Sequence, residues 1–147
     1  MPSPERPRPS ERRPEPTYLQ LVAGYDLALE QALAAPTAAN LALLVGSESR
    51  LTQALLQPAK VELGLVGATP GSLRAIRDAA QISPRFLLPH RHGEWGELDP
   101  FDRRQNELAL LRGDRLLSAY RTRLGEKLWV ITEADRGATT LLLPEEY

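Results

Sequence analysis

Apolar positions divide the chain into stretches of different period. Tyr18, Val22, Tyr25, Leu29 and Leu33 recur at helical intervals behind Thr17, which can cap, and predict an amphipathic helix over 17–35. Pro36-Thr37 breaks and restarts the chain. Leu41, Leu44, Leu51 and Leu55 then form a second helical stripe, stopped by Pro58. The pair predicts a helical hairpin over 17–58, which buries little alone and must pack on the rest of the chain or on a partner. Val61, Leu63, Leu65 and Val66 read as a strand entering Gly67. Thr69-Pro70 starts a helix with Leu73, Ile76 and Ala80 on one face, and Ser83-Pro84 starts a short one through Leu88. Residues 89–99, PHRHGEWGELD, read as a loop, and Asp99-Pro100 opens a helix through Leu111 that Gly113 ends.

Residues 115–122, 127–133 and 139–143 are rich in Leu, Val, Ile, Thr, Trp and Tyr and predict a three-stranded meander. A turn at Leu124-Gly125 that pairs Arg123 with Glu126 sets Tyr120 against Trp129 and Ser118 against Ile131. Ile131 then faces Leu141, and Glu133 faces Thr139. One face shows Leu116, Tyr120, Trp129, Ile131, Leu141 and Leu143, making Trp129 and Tyr120 core residues. The other shows Leu117, Ala119, Leu128, Val130 and Leu142, with Arg115, Thr132 and Thr140 toward one end. Both faces are apolar at the centre, so the helices of 61–113 cover one and the hairpin or a second subunit the other. The expected fold class is α+β, with helices on a small antiparallel sheet.

Residues 1–16 hold six of the 13 prolines and four arginines with no large apolar residue beyond Met1, and predict a disordered, extended arm. The expected organisation is therefore this arm, the hairpin over 17–58 and an α+β domain over 61–147. Across 147 residues the net charge is −1, so no overall basic field points to nucleic acid. The absence of cysteine excludes disulfides, thiolate zinc sites and a cysteine nucleophile. No apolar run reaches the ~18 residues of a membrane span, and no hydrophobic signal follows Met1. These features predict a cytoplasmic protein without membrane contact or cofactor.

Familiar phosphate motifs are missing. Gly64 to Gly71 (GLVGATPG) lacks both the Lys-Ser/Thr of a P-loop and a G-x-G-x-x-G, and reads as a turn into a helix. His90 and His92, spaced H-x-H beside Glu94 and Asp99, could share a metal on an extended segment. The plainer reading is exposed loop histidines or one satisfied by a backbone bond, and His90 alone as a general base needs no metal. Arg115 with Thr132 and Thr140 at one sheet end matches a cradle for a phosphate or carboxylate. Trp95 could stack on a base or pin its loop to the core. Asp102 and Asn106 lie one helical turn apart, on a face above the His-Gly-Trp loop.

The strings ATPGSL, HRHGEWGELD, the D-x3-N of Asp102 and Asn106, GDRLLSAY, KLWVITEADRGATT and LLLPEEY resemble an uncharacterised small prokaryotic family. That family occurs on plasmids and other mobile elements and is loosely labelled a plasmid-related protein or type I restriction subunit. The resemblance covers 61–147, and WVITEADRGATTLLLPEEY is its most specific part. It implies a mobile-element setting without an activity, since no methyltransferase cofactor loop or nuclease D…E-x-K motif appears. Arg136, inside that string, joins Trp95, Asp102 and Asn106 as a candidate binding residue.

Two functions follow as expectations. The first is a nucleic-acid-related, metal-independent ribonuclease-like protein acting on RNA or another phosphate-bearing ligand. His90 is its base, Arg115 holds the phosphate, and Thr132 or Thr140 orients it. The second is a non-catalytic dimeric regulator or adaptor that binds a protein partner, which the near-zero charge favours.

Overall fold

The structure is a computed structural model that describes Met1 and residues 14–147. The extended-arm expectation for 1–16 therefore falls mostly outside the described residues. Each of four helices begins at a residue whose side chain accepts a backbone N–H. Thr17 caps α1 (Tyr18–Ala34) in a full capping box with Gln20, and Thr37 caps α2 (Ala38–Ala54). Thr69 caps α3 (Pro70–Asp78) and Asp99 caps α5 (Pro100–Arg112), both with proline in the first turn. Between them α4 (Pro84–Arg91) runs further than its sequence suggests. It takes in Pro89, His90 and Arg91, so the loop expected from 89 begins at His92. The reason is that α4 buries every residue from Phe86 to Arg91, and this burial outweighs the cost of Pro89 in the last turn.

Four strands form one mixed sheet in the order β1-β4-β3-β2, with β1 (Leu65–Ala68), β2 (Leu116–Arg121), β3 (Lys127–Thr132) and β4 (Ala138–Leu142). The C-terminal three are the expected antiparallel meander. β1, which comes before α3–α5 in the chain, joins it in parallel beside β4, which makes the sheet mixed rather than antiparallel. The class is α+β.

The pairing differs from the expected one by a residue in each hairpin. Tyr120 lies opposite Leu128, not Trp129, and Ser118 opposite Val130. Ile131 lies opposite Thr140, and Thr132 opposite Thr139. The first slip comes from Gly125, whose φ of 90° makes residues 123–125 a three-residue loop closed by Thr122 N–H to Glu126 O at 2.8 Å. In the second, Arg136 adopts φ 61° in the loop closed by Glu133 N–H to Ala138 O at 3.0 Å. The two slips cancel between β2 and β4 and leave β3 alone inverted. Leu128, Val130 and Thr132 thus join Leu116, Ser118, Tyr120, Thr139 and Leu141 on the inner face, all buried. Trp129 turns to the outer face and is only half-buried, so it is not the core residue expected, whereas Tyr120 is.

The inner face packs on α3 and α4 through Ile76, Phe86 and Leu87. The hairpin α1–α2 packs on the far side of α4, where Tyr25, Leu29, Leu51 and Leu88 form a second cluster. It does not cover the outer sheet face, for which the hairpin or a second subunit is the expected cover. On that face the C-terminal 3-10 turn (Pro144–Glu146) packs on β3 and Tyr147 meets Trp129. Buried Arg91 ties the pieces together, donating to the carbonyls of Leu55, at the hairpin's end, and Val61. Among the described residues no helix is long and apolar enough to cross a membrane.

Candidate functional site

Two polar clusters occupy opposite faces of the sheet. The inner one centres on His90, which α4 carries to the sheet with no exposed surface. Its Nδ1 meets Ser118 Oγ on β2 and its Nε2 meets Thr132 Oγ1 on β3 at 2.8 Å. Thr132 Oγ1 lies 2.8 Å from Thr139 Oγ1 on β4, and Thr139 donates to the carbonyl of Leu63 at 2.7 Å. The terminal carbonyl can only accept, and this orients the whole chain. Thr139 spends its proton on Leu63 and so accepts from Thr132, which accepts from His90 in turn. His90 is therefore the Nε2–H tautomer, and its bare Nδ1 accepts from the Ser118 hydroxyl. Burial, with a smaller contribution from the Arg136 charge, lowers its pKa to about 4 and keeps the ring neutral. The ring also meets Trp95 edge-on at 5.8 Å between centroids. The network bonds one helix to β2, β3, β4 and the segment entering β1, with every member satisfied.

The outer cluster is built on Arg115. Its Nη1 donates to Tyr147 Oη at 2.6 Å, its Nε lies 3.5 Å from Glu133 Oε2, and its guanidinium sits 5.8 Å from the Tyr147 ring centroid. Tyr147, then Glu133, favour the charged form. The same ring meets Trp129 edge-on at 5.9 Å. Tyr147 is held there by its neighbour. Glu146 accepts from the Thr69 hydroxyl, from Leu143 N–H at 2.9 Å and from Gly71 N–H at 3.2 Å, which closes the C-terminus over the start of α3. These bonds, the Thr69 hydroxyl first, hold its carboxyl below the usual range.

The inversion of β3 therefore divides the expected cradle. Arg115 and Thr140 stay on the outer face, while Thr132 joins His90 on the inner one. His90 and Arg115 do not converge, and both nitrogens of His90 are engaged. His90 and His92 do not meet on a common partner either, since His92 stacks on Tyr18 at 4.3 Å between centroids. Among the described residues no three His, Asp or Glu side chains gather as a metal site.

The candidate binding residues have local tasks. Trp95 is buried, donates to Glu107 Oε1 at 2.9 Å and pins its loop. Asn106 is buried and bonds both backbone groups of Leu117, accepting from its N–H at 3.2 Å. Asp102 stays exposed in the first turn of α5, one turn away but without a share in that clamp. Arg136 donates to the carbonyls of Asp114 at 2.6 Å and Glu133 at 3.1 Å, which steadies its own positive-φ turn.

Ser118, Thr139, Trp129, Glu146 and Tyr147 complete these clusters and escape sequence reasoning as site residues. For the first two, no signal short of the correct register exists. For Glu146 and Tyr147, the acidic-aromatic end after Pro144 was the available cue. Beside the hairpin, an open groove of about 630 Å³ is lined by Tyr18, Leu21, Arg50, Gln57 and His92, and by none of the catalytic candidates. Comparison with family models, curated proteins and solved structures finds no match to this chain.

Proposed function

We propose that this chain is a non-catalytic regulator or adaptor that takes a protein partner on the outer face of its sheet. The observation that carries this reading is the grouping of Trp129, Tyr147 and Arg115 on that face. Trp, Tyr and Arg dominate the energetics of protein interfaces, because each covers much apolar area and keeps a polar group for the partner. Trp129 is half-buried and Tyr147 is 72% exposed, so a partner could still remove much apolar surface from water. The ribonuclease reading draws on one feature, the oriented proton chain through His90. A base on a surface substrate needs an accessible nitrogen, and His90 would have to leave Ser118 or Thr132 to supply one. The mobile-element setting implied by the resemblance suits either reading.

The test places a photo-crosslinking phenylalanine at position 147 of the full chain, expressed in a bacterial host with total RNA followed in parallel. The adaptor reading expects a discrete protein adduct that Trp129→Ala or Arg115→Glu removes, with both variants still folded by circular dichroism and RNA intact. RNA loss that His90→Ala abolishes would establish the ribonuclease instead. No adduct at all would end the adaptor reading.

A further inference from the structure

The two edges of the sheet are finished differently. Along the middle of β2 the outward backbone groups are those of Leu117 and Ala119, and these four are bonded. The Asn106 amide serves Leu117. Ala119 N–H donates to Trp95 O at 3.1 Å, and its carbonyl accepts from Glu97 N–H at 2.7 Å. On β1 the odd positions face β4, with Leu65 N–H donating to Gly137 O and Thr69 N–H to Leu141 O, both at 3.0 Å. Alternation turns the N–H and C=O of Val66 and Ala68 outward, and among the described residues nothing meets them. Leu65 is 81% and Val66 48% exposed. The strand, LVGA, carries no charge, proline or bulge, the devices by which proteins blunt an edge.

We propose that this edge pairs with the same edge of a second copy of the chain, antiparallel about a two-fold axis at Gly67. The outward residues lie symmetrically about that glycine, which is what an isologous contact requires. With Gly67 opposite Gly67, Val66 of each copy exchanges both backbone bonds with Ala68 of the other, four bonds in all. A Cβ at Gly67 meets nothing within 4 Å, so the sheet face over the axis is open. Neighbouring registers do less. Val66 opposite Val66 sets Ala68 against Gly64, whose φ of 62° lies outside the strand region. Ala68 opposite Ala68 sets Val66 against Pro70, which has no N–H. The favoured register continues the sheet to eight strands and puts both Trp129–Tyr147 clusters on the same side. It rests on the edge alone and stands whether or not those clusters bind a partner.

The chain has no cysteine, so Gly67→Cys introduces a single thiol. Directly opposed non-hydrogen-bonded residues lie about 4.5 Å apart at Cα, within the span a disulfide bridges. Leu65→Cys is the register control, because the two positions would lie about 14 Å apart. Under mild oxidation Gly67→Cys should form a linked dimer and Leu65→Cys should not. In sedimentation, the wild-type mass should rise from 16.3 kDa toward twice that value with concentration. Val66→Pro removes only an outward N–H and should abolish this rise with the circular dichroism kept. Leu65→Lys, at an exposed position, should do the same should the proline variant fail to fold. A wild type that stays monomeric at every concentration overturns the proposal in favour of an unlike strand on this edge. Equal linkage by both cysteine variants, or a folded Val66→Pro or Leu65→Lys that dimerises like wild type, overturns it too.

Discussion

His90 shows how far a residue's surroundings redirect its chemistry. An imidazole near its ordinary pKa is a proton carrier at neutral pH, but here burial has lowered it to about 4. The folded state refuses a proton that the unfolded chain accepts below about 6.5. Stability is therefore full above that value, falls as pH drops from 6.5 toward 4, and levels off below. Between pH 7 and pH 4, urea midpoints should show wild type losing about 3 kcal/mol more than His90→Gln. Equal losses would mean that the ring is protonated in place. On the other face, Trp129→Ala removes a half-buried ring and should cost about 1–2 kcal/mol, against about 3–5 kcal/mol for Phe86→Ala in the inner core. Chemical denaturation of the two variants distinguishes the faces. Reversed costs would restore the register in which Trp129 points inward.

Among the elements, helices and strands differ in how much of them is local. Thr17, Thr37, Thr69 and Asp99 announce helix starts because a cap acts over three residues, and every one serves in that role. Strand register depends on loop geometry and on the faces of other elements. One positive φ at Gly125 suffices to turn Thr132 from the outer face to the inner. The edge of β2 makes the same point. Gly96 adopts φ 70°, and a Cβ there would lie 2.0 Å from the Ala119 carbonyl oxygen. Gly96→Ala should thus cost about 3 kcal/mol or more and release the Trp95 loop. Asn106→Ala, which leaves two backbone groups of Leu117 without their partner, should cost about 2 kcal/mol. Melting curves check both, and amide exchange at Leu117 should rise in the second variant alone. An unchanged exchange rate would assign the clamp no role.

For the whole molecule, the hairpin decides whether residues 61–147 are self-sufficient. The boundary expected between residues 58 and 61 would make the hairpin a removable extension. Yet Leu88 of α4 is fully buried against Tyr25, Leu29 and Leu51, and Arg91 bonds both Leu55 and Val61. A fragment starting at residue 59 should expose that side of α4, bind a hydrophobic dye and melt well below the full chain. Equal melting would make the hairpin an accessory. From sequence alone came the helix starts, the meander, the α+β class and the residues worth watching, because caps and periodicity act within a few positions along the chain. Tertiary structure alone decided which face β3 turns inward, that His90 is sealed in a satisfied network, and that Arg115 serves the C-terminal tyrosine. It also left β1 as the one sheet edge unbonded among the described residues. Those outcomes depend on contacts between segments far apart in the chain, where a shift of one residue reverses which side chains meet water.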